Sequence, residues 1–388
     1  MFCVRFDFST IDENFILRAY DNEPSEAESE FGDKNRLFYD DVPFPEKKIQ
    51  YCLKAFDSDN GGLSDAYQET FVPKLRDRSS NFITWLLTIS LLSSTVACPN
   101  ASNNPDCSKY MSVEYVSTLR DLYRFRCENC SRKESIRKNS IFYGLTCDLR
   151  SAIRILYGWA KGIDLETMAN MLGLERKLVG ALYNRAAKIS LTCMCMLPGF
   201  GVFGGENVVV LIDIYPNLLN STKSLRKACK PILCISEIES IPQKFWLETL
   251  DFLNTDEPDQ RKKVQSNVIN LIQILVKPGS ILVLPSYESL PLYEEVSKLR
   301  EVYPVIKYMD EMFNSFNNQR LASILDTIWK KPLSLCEEAQ FYNPDYVDQY
   351  LIRYMWNQYT NKDSFIMLIF FIMHETRRQN IDRYIYND

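Results

Sequence analysis

The sequence predicts a mixed α and β protein, of the α+β or α/β class, in which helices precede a mixed β-sheet. Residues 148–191 place apolar side chains at three-and-four spacing, as amphipathic helices do, with breaks at Gly162 and Gly173. After a glycine-rich stretch, the runs VVVLIDIY, PILCISEI and SILVLP have the short apolar pattern of buried strands, and helical runs alternate with them. The aromatic-rich tail, residues 346–385, again has a helical pattern, so we expect a helical region that follows the sheet-containing domain in the sequence.

The same changes of pattern divide the 388 residues into six segments. We expect an acidic, loosely ordered leader (1–80), a helix with a cysteine knuckle (81–147), a helix-turn-helix (148–195), a linker (196–204), the sheet-containing domain (205–335) and the helical C-terminal region (336–388). Hydrophobic residues make up 46% of the chain, which is enough for a sizeable buried core.

The net charge of −5 combines an acidic N-terminal part of the chain with a basic segment further along. Residues 1–80 carry 17 Asp or Glu against 10 Lys or Arg, whereas residues 98–188 carry 15 Lys or Arg against 9 Asp or Glu. A basic segment in an acidic protein is typical of a surface that binds a polyanion, although a solvated charged face has the same composition.

The cysteine content and the N-terminus bear on the cellular compartment. Residues 1–8 include Arg5 and Asp7 and contain no apolar core, so we expect no secretory signal there. Twelve cysteines in a chain that is not secreted indicate a reducing compartment. The uncharged stretch 82–97 is shorter than the roughly 20 residues that a bilayer requires, so we expect a buried helix there and no membrane partner. We expect a nuclear location in a eukaryote and a cytoplasmic one otherwise, and no secretion.

Four cysteines are candidate zinc ligands. Cys127 and Cys130 form the tight pair C-x2-C, and Cys98 and Cys107 precede them. Four thiolates suit a structural zinc ion, which can hold together a segment too small to have its own core. The eight residues between Cys98 and Cys107 exceed the usual spacing of a zinc ribbon, so a loop must bulge between them. Four unrelated reduced cysteines are the alternative interpretation.

The stretch ETMANMLGLERKLVGALYNR has the pattern of a helix-turn-helix. Ala169 would let two helices approach closely, Gly173 would allow a positive φ in the turn, and Val179 would pack the second helix on the first. The pattern predicts a first helix from Asp164 to Leu172 and a recognition helix from Glu175 to about Lys188. An ordinary helical hairpin is the alternative interpretation.

Duplex DNA is the partner that the basic segment favours, because cationic side chains follow both the cysteine knuckle and the turn. Such side chains contact phosphates and give affinity without sequence choice, whereas a recognition helix reaches base edges in the major groove. The candidate DNA-binding residues are Arg132, Lys133, Arg137, Lys138, Arg176, Lys177, Asn184 and Arg185.

The order of these features resembles a known family. A helix, a cysteine knuckle, the run SIRKNSIFYG, a helix with GWAKG, a helix-turn-helix and a strand ending in Asp resemble the Merlin-type, ISXO2-like DDE transposases. The resemblance covers roughly residues 82–371 and is clearest in residues 123–213 and at PGSILVL. It implies a ribonuclease H-like domain that cuts and joins DNA with two divalent metals held by three carboxylates.

The resemblance also implies where the three carboxylates should stand. Asp213 occupies the first position, Pro285 stands at the second, and Asp326, followed by Trp329, matches the third with a shorter side chain. Two Mg²⁺ or Mn²⁺ ions need these ligands to hold the scissile phosphate and the leaving oxygen, so a proline at the second position should weaken metal binding. Glu288 could substitute only if the end of the strand were rebuilt.

These observations lead to a main hypothesis with two alternatives. The main one is a transposase-derived, domesticated or degenerate DNA-binding protein that has lost strand transfer. The first alternative is an active, divergent transposase that uses Asp213, Glu288 and Asp326, and the second is an interaction scaffold without DNA binding. A homodimer is possible, and no small-molecule substrate is expected.

Overall fold

Two β-sheets and a set of helices build the protein, which has the mixed α and β architecture that the sequence predicts. The structure is a computed structural model that describes residues 67–77, 81–103, 106–107, 110–196, 201–216, 230–237, 244–250, 258–285, 299–314, 319–360 and 364–385. Glu288 lies outside the described residues.

The described elements are numbered here in chain order. The helices are α1 (Val72–Arg76), α2 (Asn81–Thr88), α3 (Leu149–Ala160), α4 (Leu165–Leu172), α5 (Arg176–Met196), α6 (Pro258–Leu275), α7 (Met309–Asn314), α8 (Gln319–Ala339), α9 (Pro344–Thr360) and α10 (Ser364–Ile385). The strands are β1 (Val96–Ala97), β2 (Tyr110–Tyr115), β3 (Tyr123–Arg126), β4 (Lys133–Ser135), β5 (Val209–Tyr215), β6 (Ile232–Glu237), β7 (Lys244–Thr249), β8 (Ile281–Leu284) and β9 (Ile306–Tyr308).

The smaller sheet is antiparallel and has the order β1-β2-β3-β4. Phe125 of β3 is fully buried and anchors one face of this sheet. Cys98 follows β1 directly, and Cys127 follows β3 directly. The strand pairing therefore brings cysteines that are distant in sequence to the same end of the sheet.

Helices α3, α4 and α5 follow the small sheet. Asp148 and Asp164 cap the first two helices by accepting hydrogen bonds from the N–H groups of Ser151 and Thr167. Gly173 ends α4 with a φ of +63°, a left-handed conformation that glycine adopts without strain. The first helix and the turn lie where the sequence predicts them, whereas α5 continues two turns beyond Lys188, to Met196.

The larger sheet is mixed and has the order β7-β6-β5-β8-β9. Strands β5, β6 and β7 are antiparallel neighbours, whereas β8 and β9 run parallel to β5. The central strands are almost fully buried, as their apolar runs require. Helix α8 packs against β5 and β6.

The segment predicted as a linker is partly integrated into this larger sheet. Phe203 is buried and forms a parallel bridge with Val276. The N–H of Gly204 donates to Glu237, and the N–H of Gly205 donates to Ser280. Residues 201–205 are therefore bound to the sheet that they precede.

Helix α9 connects the N-terminal helices with the larger sheet, and α10 packs beside α9. Helix α9 packs against both α5 and β7, and α10 packs against α5 and α3. The hydroxyl of the buried Ser364 donates to the carbonyl of Ala160, and the indole of Trp356 donates to the carbonyl of Ser364. The helical character of the C-terminal region matches the prediction, and its helices belong to the core.

Two other segments differ from the sequence-based expectation. Residues 67–76 of the predicted leader are helical, and Tyr67 stacks on Tyr157 with ring centroids 3.7 Å apart, so this part is not loosely ordered. In the apolar stretch 82–97, α2 ends at Thr88, and its Phe82 and Leu86 are buried. Within the described residues, no helix combines the length and the apolar character that a membrane span requires.

Candidate functional site

The four predicted cysteines come together at one end of the small sheet. All four sulfur atoms, of Cys98, Cys107, Cys127 and Cys130, lie within 4.8 Å of one another. The Sγ atoms of Cys98 and Cys130 are 3.5 Å apart, those of Cys98 and Cys107 are 3.9 Å apart, and those of Cys107 and Cys127 are 4.0 Å apart. The arrangement can hold a metal ion. Among the described residues, no other group of three or more potential metal ligands comes this close together.

Local geometry explains how the long spacing between the first two cysteines is accommodated. Val96 pairs with Met111 and Ala97 pairs with Tyr110, so β1 and β2 hold the two ends of the intervening loop side by side. In the second pair, the N–H of Ser131 donates to the carbonyl of Cys127 in a turn where Ser131 has a φ of +55°. The first pair thus reaches the cluster although its spacing is unusual.

The protonation of the thiols depends on whether a cation is bound. Burial and the neighbouring thiols raise the pKa of Cys107 to about 12, and burial also raises the pKa of Cys98. Neutral thiols are therefore favoured without an ion, whereas a bound cation stabilises the thiolates and releases protons.

The outward face of α5 carries polar and cationic side chains. Lys177 and Lys188 are exposed, and Ala181 and Asn184 lie between them and are partly exposed. These four positions follow one another at spacings of four, three and four residues, so they form one stripe along the helix. Arg176 is exposed beside the stripe and pairs with Glu166 of α4 at 3.0 Å. Lys188 also belongs to this face, although it was not among the candidate DNA-binding residues predicted from the sequence.

Arg137 has a structural role, which corrects its prediction as a phosphate contact. Its side chain is only 6% exposed, and its Nε and Nη2 atoms donate to the two carboxylate oxygens of Asp121 at 2.6 and 2.7 Å. Its Nη1 atom donates to the carbonyl of Leu145 at 3.0 Å. A guanidinium that is buried and bound in this way is not available to DNA.

Arg185 is also engaged within the protein. Its Nη1 atom donates to the carbonyls of Ile141 and Tyr143 at 2.6 and 2.7 Å, and burial lowers the pKa of its guanidinium. The residue thereby fastens the segment after the small sheet to α5. The side chain is only partly buried, so its predicted contact with DNA stays a prediction beside this positioning role.

The other candidate cations lie in β4 or beside it. Arg132 and Lys133 are exposed, and Lys138 pairs with Glu134 at 3.0 Å. Lys133 lies opposite Arg126 in the strand register, and Arg126 is 44% exposed while pairing with Glu114. Arg126 was missed because its position beside Lys133 depends on strand pairing across the turn.

Asp213 lies in the central strand β5 and is largely buried. Its Oδ1 atom accepts from the N–H of Ile214 at 2.7 Å, and its carboxylate also accepts a hydrogen bond from the indole of Trp329 on α8. Trp329 is itself buried. Burial raises the pKa of Asp213 to about 6, against the effect of both hydrogen bonds.

The other predicted acid positions do not complete a three-carboxylate site among the described residues. The register pairs Leu211 of β5 with Val283 of β8. Asp213 stands two residues after Leu211, and Pro285 stands two residues after Val283, directly beyond the end of β8. Asp326 lies one helical turn before Trp329, is 42% exposed and pairs with Lys330 at 2.9 Å.

An acid that the sequence reasoning did not consider lies at the same edge of the sheet. Asp310 follows β9, is exposed, and its N–H donates to the carbonyl of Pro285 at 3.2 Å. The carboxyl ends of parallel strands meet at one edge, which explains why a residue 25 positions after Pro285 adjoins it. No pattern along the sequence marks Asp310 as a neighbour of Pro285.

Comparison with known proteins gives no further assignment. No family model matches the chain, and neither the curated proteins nor the solved structures contain a match to it. Its function must therefore be argued from the cysteine cluster, the surface of α5 and the surroundings of Asp213.

Replacing Asp213 by Asn should make the protein more stable at neutral pH. The folded protein holds the Asp213 proton more tightly than the unfolded chain, because the folded pKa is about 6 and the ordinary value is 3.8. The native protein should therefore lose up to about 3 kcal/mol relative to Asp213→Asn as the pH rises from 4 to 7. The neutral amide can still accept from Trp329.

Urea unfolding of both proteins at pH 4 and pH 7 measures this difference. Asp326→Asn is the matched control, since the Asp326 side chain is 42% exposed and should show no such gain. If the free-energy difference between Asp213→Asn and the native protein is the same at both pH values, the burial of an ionised Asp213 is not destabilising and the argument fails.

Proposed function

We propose that this chain is a transposase-derived DNA-binding protein whose ribonuclease H-like domain no longer cuts or joins DNA. The observation that carries the DNA-binding part is the outward stripe of α5, with Lys177, Asn184 and Lys188 on a helix whose other faces are packed. A helix of this kind can enter the major groove, where lysines contact phosphates and an asparagine can read an adenine edge.

The turn before α5 supports a helix-turn-helix. Ala169 and Val179 are buried at the contact of the two helices, and Gly173 takes the left-handed conformation between them. These are the roles that the motif requires of a small residue, a turn residue and a branched apolar residue. In such a motif the second helix is the one that contacts the bases.

Zinc is the ion that we propose for the cysteine cluster. A tetrahedral ion with bonds of about 2.3 Å to sulfur sets its ligands roughly 3.8 Å apart. The three closest pairs measured here, at 3.5 to 4.0 Å, agree with that spacing. Soft thiolate ligands favour zinc over the hard cations that a transposase active site uses.

The topology of the larger sheet supports a ribonuclease H-like domain. Numbered within this sheet alone, the strands have the order 3-2-1-4-5, with the first three antiparallel and the last two parallel to the first. Ribonuclease H-like domains have this order and carry their first catalytic acid on the first, central strand, where Asp213 stands. The parallel connections and their helices agree with this fold.

The loss of catalysis is argued from the surroundings of Asp213. Two metal ions in an active site need several carboxylates directed at one point. Here the carboxylate of Asp213 accepts from an indole, and Pro285, which has no side-chain oxygen, directly follows the neighbouring strand β8. Mg²⁺ would compete with the indole of Trp329 for part of the Asp213 carboxylate and would find no second acid on β8.

Metal analysis tests the zinc site. We expect about one zinc ion per chain in protein purified without chelator, and close to none in Cys127→Ser, because three ligands leave the tetrahedral site incomplete. Cys147→Ser is the matched control, since Cys147 is a buried cysteine outside the cluster and should leave the metal content unchanged. Native protein that contains no metal and resists proteolysis in residues 98–145 would contradict the site.

DNA binding is tested with the lysines of the stripe. The double variant Lys177→Ala, Lys188→Ala should bind duplex DNA more weakly and lower the slope of log affinity against log salt by about 2, since each lost phosphate contact contributes about 0.9. The control is Lys307→Ala with Lys331→Ala, which removes two exposed lysines of β9 and α8. Equal slopes for the two double variants would count against α5, and no binding by the native protein at low salt would favour the interaction scaffold.

An active transposase is a second candidate, favoured by the position of Asp310 beside Pro285. It would use Asp213, Asp326 and either Asp310 or Glu288 as metal ligands. We expect no cutting of duplex DNA by the native protein in Mg²⁺ or Mn²⁺, because no three carboxylates come together among the described residues. Metal-dependent cutting that disappears in Asp213→Asn would establish the second candidate, and Asp310→Asn compared with Glu288→Gln would identify its further ligand.

A further inference from the structure

Two arginine side chains hold the segment between the small sheet and α3. Arg137, near the start of the segment, binds Asp121 of the loop between β2 and β3 and the carbonyl of Leu145. Arg185 of α5 binds the carbonyls of Ile141 and Tyr143 in the middle of the segment. The segment therefore connects the small sheet, which carries the cysteine cluster, firmly with α5, the helix proposed to enter the major groove.

Within this connection the side chains have opposite environments. Phe142 is fully buried, whereas the neighbouring Tyr143 is 49% exposed. The N–H of Tyr143 donates to the carbonyl of Ser140, and the following Gly144 has a φ of +78°. The backbone around Tyr143 is thus fixed in tight turns while its phenol ring faces solvent.

Arg185 holds the backbone of Tyr143 next to α5, where Arg185 itself adjoins the cationic stripe. It lies four residues after Ala181 and three before Lys188, and residues at these spacings are neighbours on a helix surface. Because the Arg185 guanidinium binds the backbone of Tyr143, the connection runs along the edge of the stripe.

We propose that Tyr143 is a further DNA contact, whose phenolic hydroxyl donates to a backbone phosphate flanking the groove that α5 enters. This rests on the proposed function, because it takes α5 as the helix in the groove. Tyrosine hydroxyls are among the groups that contact phosphates in protein–DNA complexes. Arg185 acts as a positioning residue that joins the zinc-bound module and α5 into one surface.

A neutral donor and a cation differ in their salt dependence, which separates this contact from those of the lysines. Losing a lysine contact lowers the salt slope, because fewer counterions are released from the DNA. Losing the tyrosine hydroxyl removes a hydrogen bond without changing the charge. Tyr143→Phe should therefore bind duplex DNA about fivefold more weakly with an unchanged slope, as expected for one hydrogen bond.

The matched control is Tyr115→Phe. Tyr115 is 57% exposed in the same module, and it packs edge-on against Tyr123. Both rings lie on the apolar face of the small sheet, whereas Arg126 points to the other face. Its variant should bind as tightly as the native protein. In the background of Arg185→Gln, Tyr143→Phe should cause no further loss, because the backbone of Tyr143 is no longer held next to α5. Circular dichroism and urea unfolding establish that each variant is folded.

Fluorescence anisotropy with a labelled duplex over a series of salt concentrations measures all of these proteins. If Tyr143→Phe binds like the native protein while Lys177→Ala with Lys188→Ala is weakened, the proposed function stands and the Tyr143 contact is refuted. If native protein binds no duplex at low salt, both are refuted. The protein could also bind single-stranded DNA more tightly than the duplex. If Tyr143→Phe keeps that binding and Tyr143→Ala loses it, the ring stacks on a base and the phosphate contact is refuted.

Discussion

The position of α9 between α5 and β7 is the constraint on which the arrangement of the two halves depends. Gly180 of α5 leaves room for this contact, since a Cβ atom there would lie 2.9 Å from the ring of Tyr346. On the sheet side, the N–H groups of Phe245 and Leu247 point at Gln358 and Met355 of α9, each at 3.3 Å. An edge strand with open N–H groups invites pairing with another chain, so α9 both covers the edge and connects the sheet with the helices. Because α9 buries one face of α5, the cationic stripe must face outward.

Patterns along the chain predict much of this structure, because they reflect local physical demands. The apolar runs that become β5, β6 and β8 are buried on both faces, and the turn at Gly173 needs a residue that tolerates a positive φ. The cysteine cluster was predictable from its tight second pair. Contacts between distant segments were not: the docking of α9 and the bond between Trp329 and Asp213 depend on packing that no spacing encodes.

The charges show the same limit in a different way. A count of basic residues treats every arginine as surface charge, yet Arg137 and Arg185 use their guanidinium groups to bind carbonyls and a carboxylate inside the protein. Burying a guanidinium is costly unless its donors are satisfied, and the carbonyls of the 141–145 segment supply that satisfaction. The cationic surface is therefore smaller than the sequence suggests. It is also better defined, because the two arginines fix the segment that lies beside it.

The two β-sheets differ in what can stabilise them. The small sheet has few buried apolar residues of its own, and the four thiols at one end can hold a metal ion, which would stabilise them as thiolates. The larger sheet has an extensive apolar core, and the position of Asp213 within it faces a different demand. A carboxylate buried there without a cation is destabilising, and the indole of Trp329 together with the N–H of Ile214 offsets part of that cost. An apolar core of this kind does not depend on a metal at Asp213, so under the proposed function the fold would persist after catalysis is lost, whereas loss of the cysteine ligands would destabilise the small sheet.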